Sequence, residues 1–356
     1  MTAEYYWTLP TRGDGRSGPG PRGNRGDWTA GDHPLVPSIR DVRPGRYDYF
    51  DYLGQIARAA AVAGLRGVFV PFDVQGEDSW IVSAALARHF PTLDFVTEFS
   101  PAFATPVYAT KMSATFQRFS GGRLGWKLAI DGDQADGAAF ADHVEGAARF
   151  DRAREFLDIA TGIWGADGFT YRGRYFEVED GGLRDPLTRH RRPPVTLSGV
   201  SAEALSLSAT HADIHLWPSS LPEGWEQHKV ELDRLVAGTG RQLRHGTQLA
   251  IVARETEREA WDEVRRQWRH VGVGDWNTFD ELVLAPDVWS GFRQIGHDAP
   301  TGVVGSYEQV AAHLLNVSAA GIDVFYLGAS PGLEEAYRFG EHLAPLLVAE
   351  KVAQAV

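Results

Sequence analysis

Cysteine is absent from the 356 residues of the chain. This absence excludes disulfides, thiolate metal sites and cysteine nucleophiles, and it makes a reducing cytoplasm the expected location. The chain also lacks an apolar run of about 18 residues, so no membrane-spanning helix is expected. Its first residues lack a basic start followed by a long apolar stretch, so no signal peptide is expected either.

Motifs that mark several enzyme classes are also missing. The 12 histidines are scattered without the paired spacing of a helical metal site, so no metal is expected. No G-x-G-x-x-G fingerprint follows a strand pattern, and no G-x-S-x-G elbow occurs, which disfavours a Rossmann nicotinamide site and an α/β-hydrolase elbow. The net charge of −12 argues against nucleic acid or an anionic membrane as the main partner, since both need a basic face.

What is present is a regular alternation of short apolar runs with longer helical patterns. Hydrophobic residues make up 43% of the chain and charged residues 23%, which is ordinary for a globular protein with a full core. The apolar runs predict strands at 5–9, 67–70, 93–97, 123–130, 194–197, 213–217, 247–253 and 323–327. Eight successive βα units predict an α/β fold, a single (β/α)8 TIM barrel over residues 1–356.

Three long segments interrupt this alternation and are predicted to be insertions, at about residues 11–46, 131–147 and 273–300. The first two follow predicted strands, so we expect them to form lids or pocket walls at the catalytic face of the barrel. A disordered insertion is the alternative for residues 11–46, although Trp28 and Leu35 favour packing of part of that segment.

Ser198-Gly-Val-Ser201 follows the fifth predicted strand and opens a helical pattern. The free N–H groups of a helix start, two hydroxyls and a glycine that permits close approach suit a bound phosphate. A plain N-cap by Ser201 would leave the same pattern in the sequence. The residues alone therefore leave both interpretations open.

The chain resembles the bacterial-luciferase-like flavin monooxygenases, and most nearly the alkanesulfonate monooxygenases among them. The matching motifs are Thr8-Leu-Pro-Thr-Arg-Gly-Asp-Gly15, Glu77-Asp-Ser-Trp80, Ser120-Gly-Gly-Arg123, Arg172-Gly-Arg-Tyr175, Arg254-Glu-Thr256, Gly321-Ile-Asp323 and Leu333-Glu-Glu-Ala-Tyr-Arg338. Each motif is short, but they occur in order along most of the chain. The resemblance implies reduced FMN supplied by a separate NAD(P)H-dependent flavin reductase, O2 as oxidant, a small organic substrate, and a homodimer or homotetramer.

Several positions of the family's motifs carry different residues here, including two that the resemblance implies to face the substrate. Where the family's strand has the sequence Gly-Ile-Arg-Leu-His, its Arg and His correspond to Gln248 and Ala250. The other replacements are Arg12 for His, Gly76 for Cys, Lys127 for Asn, Gly146 for His, Gly296 or His297 for Arg, and Ser330 for Tyr. A sulfonate needs cationic donors, so these changes predict a pocket remodelled for a substrate other than a simple alkanesulfonate. Arg12 and Lys127 bring new charge, which keeps an anionic substrate possible.

The resemblance also implies roles for individual residues. Ser198, Gly199 and Ser201 match the family's Gly-Gly-Ser-Ser turn and are expected to hold the FMN phosphate. Lys127 ends an apolar strand, and we expect it to contact the flavin, a substrate carboxylate or a peroxyflavin oxygen. A rim ion pair of Lys127 with Asp131 or Asp133 is the structural alternative.

The remaining candidates lie on or near predicted strand ends. Gln248 and Arg12 are expected to interact with the polar part of the substrate, as is His215, for which a hydrogen-bonded core residue is the alternative. Trp217 is expected near the flavin ring or substrate, unless it fills the barrel. Glu98 follows the third predicted strand, and a solvated loop acid is its favoured interpretation. Two other functions stay open: a flavin reaction without oxygenation, and a flavin-free barrel subunit.

Overall fold

The computed structural model describes residues 3–13, 48–130, 134–219, 225–272 and 274–348. Most of the first predicted insertion, including Trp28 and Leu35, lies outside these ranges, as do Asp131 and Asp133. In chain order, the described strands are β1 (Glu4–Thr8), β2 (Gly67–Val70), β3 (Asp94–Phe99), β4 (Leu124–Leu128), β5 (Phe169–Arg172), β6 (Glu177–Gly181), β7 (Val195–Ser198), β8 (Ile214–Trp217), β9 (Arg244–Arg254), β10 (Val283–Ala285), β11 (Val288–Trp289), β12 (Gly302–Ser306) and β13 (Val324–Gly328).

Helices alternate with these strands over the same ranges. They are α1 (Tyr49–Val62), α2 (Ser79–His89), α3 (Pro106–Ser120), α4 (Gln134–Ala139), α5 (Ala147–Gly165), α6 (Ala202–His211), α7 (Trp225–Ala237), α8 (Glu257–Val271), α9 (Trp276–Glu281), α10 (Tyr307–Ala319) and α11 (Gly332–Arg338). Local chemistry sets their starts: Thr256 and Glu259 form a capping box at α8, and Thr105 caps α3 ahead of Pro106. Within the described chain, none of these helices has the length and apolarity needed to cross a membrane.

The strand order confirms the predicted fold class. Eight strands follow one another as β9-β13-β1-β2-β3-β4-β7-β8, and β8 also pairs with β9, so the sheet closes into a (β/α)8 TIM barrel. All eight correspond to the eight apolar runs of the sequence, with bounds that differ by a few residues. The chain divides into two compact units, residues 1–69 with 247–356 and residues 70–246.

In the first unit, β1 lies between two parallel neighbours. Trp7 is in register with Leu327 of β13, and Thr8 with Phe69 of β2. The long strand β9 pairs through its second half with β12, a strand that the sequence did not predict. Its two glycines weaken the apolar signal, yet Gly302 is required there, since a Cβ would collide with the carbonyl oxygen of Ala250.

In the second unit, β3, β4, β7 and β8 are parallel and in register. Successive side chains of a strand point to opposite faces of its sheet, and the helices mark the outer face. Trp126 points outward, because its Nε1 donates to Ser113 Oγ of α3 at 2.9 Å. His215 also points outward, because its Nδ1 lies 2.9 Å from Ser208 Oγ of α6. Lys127 and Ser198 therefore lie on the inner face of this sheet.

The hairpin β5–β6 is a second feature that the strand count did not predict. The Glu155 carboxylate of α5 accepts hydrogen bonds from the backbone N–H groups of Arg174, Tyr175 and Phe176 at 2.7 to 3.1 Å. A Cβ at Gly173 would collide with the same carboxylate. The motif Arg172-Gly-Arg-Tyr175 is thus explained by a turn that closes over a buried acid.

Candidate functional site

A row of polar side chains crosses the inner face of the second unit near the carboxyl ends of its strands. Glu98 of β3 is in register with Lys127 of β4, and Lys127 with Thr196 of β7. Ser198, two residues beyond Thr196, continues the row on the same face. Active sites of (β/α)8 barrels are built at this end of the strands.

Lys127 and Glu98 form a buried ion pair between Nζ and Oε1, with side-chain exposures of 11% and 12%. The second carboxylate oxygen of Glu98 accepts the backbone N–H of Phe72 at 3.0 Å. Two charges out of water need such partners, because an unpaired buried ion costs several kcal/mol. The interpretation of Glu98 as a solvated loop acid is wrong, since it lies inside β3 and is paired.

This partner of Lys127 was missed because the two residues are 29 positions apart in the sequence. The only signal was a pair of opposite charges near the ends of two consecutive apolar runs, at positions 98 and 127. Parallel neighbouring strands bring such residues side by side only in one register. Asp131 and Asp133, the predicted rim partners, lie outside the described residues.

The turn after β7 has the features of a helix start that is open to a ligand. Ser198 ends the strand, and Gly199 has φ +117°, a conformation that glycine adopts without strain. Ser201 is the N-cap of α6, and its Oγ accepts the backbone N–H of Ala204 at 3.2 Å. Ser201 and the first residues of α6 are exposed, so the remaining N–H groups can meet an anion. The N-cap of the plain interpretation is therefore present, and an anion is compatible with it.

His215 lies in the core on the outer face of β8. Its side chain is fully buried, hydrogen-bonded to Ser208, and 4.4 Å from the Trp217 ring in an edge-on arrangement. Burial, with a smaller contribution from His245, lowers the pKa of His215 to about 3, so the ring is neutral at physiological pH. These contacts are those of the hydrogen-bonded core residue that the sequence left open as an alternative.

Trp217 belongs to the same outer cluster. Its Nε1 donates to His245 Nδ1 at 3.1 Å, and His245 Nε2 in turn lies 2.9 Å from Asp233 Oδ1 of α7. The Trp225 ring of α7 packs edge-on against the Trp217 ring, with 6.1 Å between the centroids. The indole therefore fills the layer between strand and helices, and its polar edge is satisfied there.

The first unit contains a small recess that brings together some of the replaced family positions. Gln248 and Ala250 of β9, Gly296, His297 and Ser330 line it, together with Thr8 of β1. Its free space is about 30 Å³, which is the volume of one water-sized group. Of the replacements predicted to surround one pocket, Gln248, Ala250, Ser330 and both alternatives for the family arginine, Gly296 and His297, line this recess, and Lys127 does not. Gly76 and Gly146 belong to the other unit, where Gly146 precedes α5 with φ +56°.

Arg12 is near this recess but is engaged by an acid. Its Nε lies 3.8 Å from Asp298 Oδ1, and Asp298 lines the recess. The described lining residues include neither lysine nor arginine. The positive charge of Arg12 is therefore offset at the recess by a carboxylate.

No group of three or more histidine, cysteine or acidic residues that could hold a metal ion occurs among the described residues.

The sequence matches the family model described as luciferase-like monooxygenase over residues 31–324. The chain belongs to the luciferase-like monooxygenase family. This membership confirms the predicted family, whereas the nearer relation to alkanesulfonate monooxygenases stays a prediction.

Solved structures share the luciferase-like fold along nearly the whole chain. EDTA monooxygenase from Chelativorans sp. BNC1 is similar with a TM-score of 0.74 and 17% identity, covering 98% of this chain and 94% of that one. A riboflavin lyase gives 0.70 and 18%, covering 99% and 92%. An F420-dependent secondary alcohol dehydrogenase gives 0.68 and 16%, covering 98% and 99%. At these identities the likeness shows the fold alone, and the reactions of these proteins differ from one to the next.

Proposed function

We propose that the protein is a two-component flavin monooxygenase that uses reduced FMN from a separate NAD(P)H-dependent reductase, and O2, on a small organic substrate other than a simple alkanesulfonate. Family membership supports the oxygenase chemistry. One observation carries the substrate half of the proposal: the recess that holds the replaced family positions contains Gln248 and Ala250 and lacks a cationic side chain among its described lining residues. Loss of a charge-assisted hydrogen bond costs an anion about 1.5–3 kcal/mol.

The turn after β7 fits the phosphate of the flavin. A positive φ at Gly199 and an exposed N-cap at Ser201 leave backbone N–H groups free to bind a phosphate at the start of a ten-residue helix. Ser198, Gly199 and Ser201 would hold that group. The bound flavin would supply the electrons that activate O2, and the protein would supply binding and orientation.

Lys127 and Glu98 supply a fixed charge pair to the same inner face. The Glu98 carboxylate anchors the ammonium, and Phe72 N–H anchors the carboxylate, so the Lys127 donor has a defined position. We assign Lys127 the task of donating a hydrogen bond to an oxygen-bearing group at this face. Because Glu98 balances the charge of Lys127, this part of the inner face suits a neutral polar group better than a second anion.

The other predicted site residues take supporting or polar roles in this proposal. Gln248 and Arg12 interact with the polar end of the substrate, Gln248 from the recess wall and Arg12 through Asp298. His215 and Trp217 act as positioning residues, because His215 is in register with Leu197 in the strand that carries the phosphate turn.

We further propose that the chain forms a homodimer or homotetramer through the outer face of α2 and α3. Ile81, Tyr108 and Phe119 are 70%, 59% and 74% exposed there. They border an apolar groove of about 690 Å³. Exposed apolar surface of this extent is typical of an interaction site.

An anaerobic titration with reduced FMN tests the flavin half of the proposal through the fluorescence of the 11 tryptophans. We expect saturable quenching, which Ser201→Ala weakens. The matched control is Ser306→Ala, which removes the N-cap of α10 and thus costs a similar cap energy of about 1 kcal/mol away from the phosphate turn. Absence of saturable quenching at high micromolar flavin would favour the flavin-free barrel subunit.

Oxygen-isotope labelling separates oxygenation from other flavin reactions. With reduced FMN and labelled O2, we expect one labelled oxygen atom in the organic product. A product that forms without the label would point to a flavin-dependent reaction other than oxygenation.

A further inference from the structure

His297 is a buried histidine, and either it or its neighbour Gly296 corresponds to an arginine of the family. It lies in the segment before β12, and its ring packs edge-on against Phe292 with 5.0 Å between centroids. The residue is 6% exposed, and it lines the recess that also contains Gln248. An imidazole therefore contributes a polar edge to a site where the charged donors of the family are absent.

The hydrogen bonds behind His297 fix its tautomer. Gln267 Nε2 donates to Glu263 Oε1 at 2.9 Å and to the carbonyl oxygen of Ser330 at 3.2 Å. Both of those partners are acceptors only, so the amide orientation of Gln267 is assigned, and its Oε1 must be the atom that faces His297. The 3.3 Å contact between Gln267 Oε1 and His297 Nε2 then requires a proton on Nε2.

A neutral imidazole with its proton on Nε2 has a lone pair on Nδ1, which acts as a hydrogen-bond acceptor. Glu263 is itself held in place, since Arg254 Nη2 lies 3.7 Å from its Oε2 and also pairs with Glu335 at 2.9 Å. The anchor that sets the tautomer is therefore part of a buried ionic cluster. Burial lowers the pKa of His297 to about 4, which keeps the ring neutral through the physiological range.

The rest of the recess agrees with an acceptor of this kind. Thr8 Oγ1 is buried and has no hydrogen-bond partner among the described residues. Asp298 adds a carboxylate, paired with Arg12. The polar groups that line the recess are thus an imidazole acceptor, a hydroxyl, an amide and a paired acid, an arrangement suited to a donor and unfavourable to an anion.

We propose that this recess binds a hydrogen-bond-donating end group of the substrate, an amine, hydroxyl or amide N–H, and that His297 Nδ1 is the acceptor that selects it. The free space of about 30 Å³ is sufficient for one such group. This assignment of the ligand as substrate rests on the proposed monooxygenase function. The binding chemistry of the recess does not depend on it.

The first test determines the tautomer in the flavin-free full-length protein, labelled with 15N-histidine, by long-range 1H–15N NMR at pH 7. His297→Asn identifies the signals. We expect Nε2 protonated and Nδ1 unprotonated in a single tautomer, with Gln267→Leu converting it to a mixture. Gln294→Leu, on the exposed side of the same segment, is the matched control and should leave the tautomer unchanged. A proton on Nδ1 of the wild type, in either the neutral or the charged ring, overturns the proposal.

The second test adds small probes to the same sample. Methylammonium is expected to shift the His297 Nδ1 signal saturably, and formate, an anion of similar size, is expected to leave it in place. Gln267→Leu should weaken methylammonium binding about twofold, because an equal mixture of tautomers halves the fraction of protein with an Nδ1 acceptor. No saturable shift with methylammonium, or a saturable shift with formate, overturns the assignment. Because no flavin is present, these outcomes are independent of the FMN titration that tests the proposed function.

Discussion

Replacement of Lys127 by methionine tests whether the charge pair on the inner face is buried as a unit. The side chain keeps its length and apolar stem but loses the ammonium. Among the described residues, the Glu98 carboxylate, at 12% exposure, then keeps only the Phe72 N–H at 3.0 Å as a partner. Breaking a buried ion pair from one side costs about 3–5 kcal/mol, since the remaining charge is uncompensated. That cost is a large part of a typical stability of about 5–15 kcal/mol.

A double-mutant cycle measures the coupling energy between Lys127 and Glu98. Glu98→Gln alone strands the ammonium of Lys127, and we expect a loss of similar size. The double variant Lys127→Met with Glu98→Gln carries no buried charge, so it should regain most of the loss, with a coupling energy of at least about 2 kcal/mol. Urea unfolding followed by circular dichroism measures all four proteins.

Arg258→Met is the control for this cycle, because Arg258 is exposed on α8 and its loss should change stability by no more than about 0.5 kcal/mol. If the double variant lost as much stability as the two single variants together, the reasoning would be refuted. Single losses of less than about 1 kcal/mol would also refute it, because they would mean that water or other groups replace the partner.

Three further predictions concern other parts of the molecule. Burial lowers the pKa of folded His215 to about 3, whereas in the unfolded chain this residue binds a proton below about pH 6.5, so the free energy of unfolding decreases as the pH is lowered between these values. His215→Asn should make this decrease shallower by about 1.4 kcal/mol per pH unit. Equal slopes for the two proteins in acid unfolding would contradict the prediction. Phe119→Asp should lower the mass found by light scattering, with circular dichroism unchanged; an unaltered mass would exclude this face as the interface. Gln248→Arg should strengthen methanesulfonate binding in calorimetry by about 1.5–3 kcal/mol, and no gain would argue that residue 248 lies away from the ligand.

The family of this protein is established by the family model, whereas its reaction is proposed. The family match and the shared fold cover most of the chain. Among the proteins of similar fold, one is an EDTA monooxygenase and another is an F420-dependent secondary alcohol dehydrogenase. The chemistry must therefore be argued from particular side chains, and in this chain those at positions 248, 250 and 297 are the informative ones.

The sequence by itself determined the elements of the fold. Apolar runs of four to eight residues are sufficient to specify buried parallel strands, and helix starts such as Thr256 with Glu259 are set by neighbours a few positions apart. It also predicted that the replacements at Gln248, Ala250, Gly76, Lys127, Gly146, Gly296 and Ser330 surround one pocket. Of these, Gln248, Ala250, Gly296 and Ser330 line the recess, whereas Gly76, Lys127 and Gly146 are not among its lining residues. The strand β12 escaped prediction because its glycines serve a close backbone approach to Ala250 that no local pattern records.

Only the tertiary structure decided which face each polar residue occupies and what it meets there. Lys127 and His215 both looked like polar residues on apolar strands, yet register puts Lys127 on the inner face beside Glu98, and contact with Ser208 puts His215 in the outer core. His297 acquired a defined tautomer only because Gln267, 30 positions earlier, has both of its donors engaged. Charge balance, burial and proton position depend on partners distant in the chain, and those partners are fixed by packing.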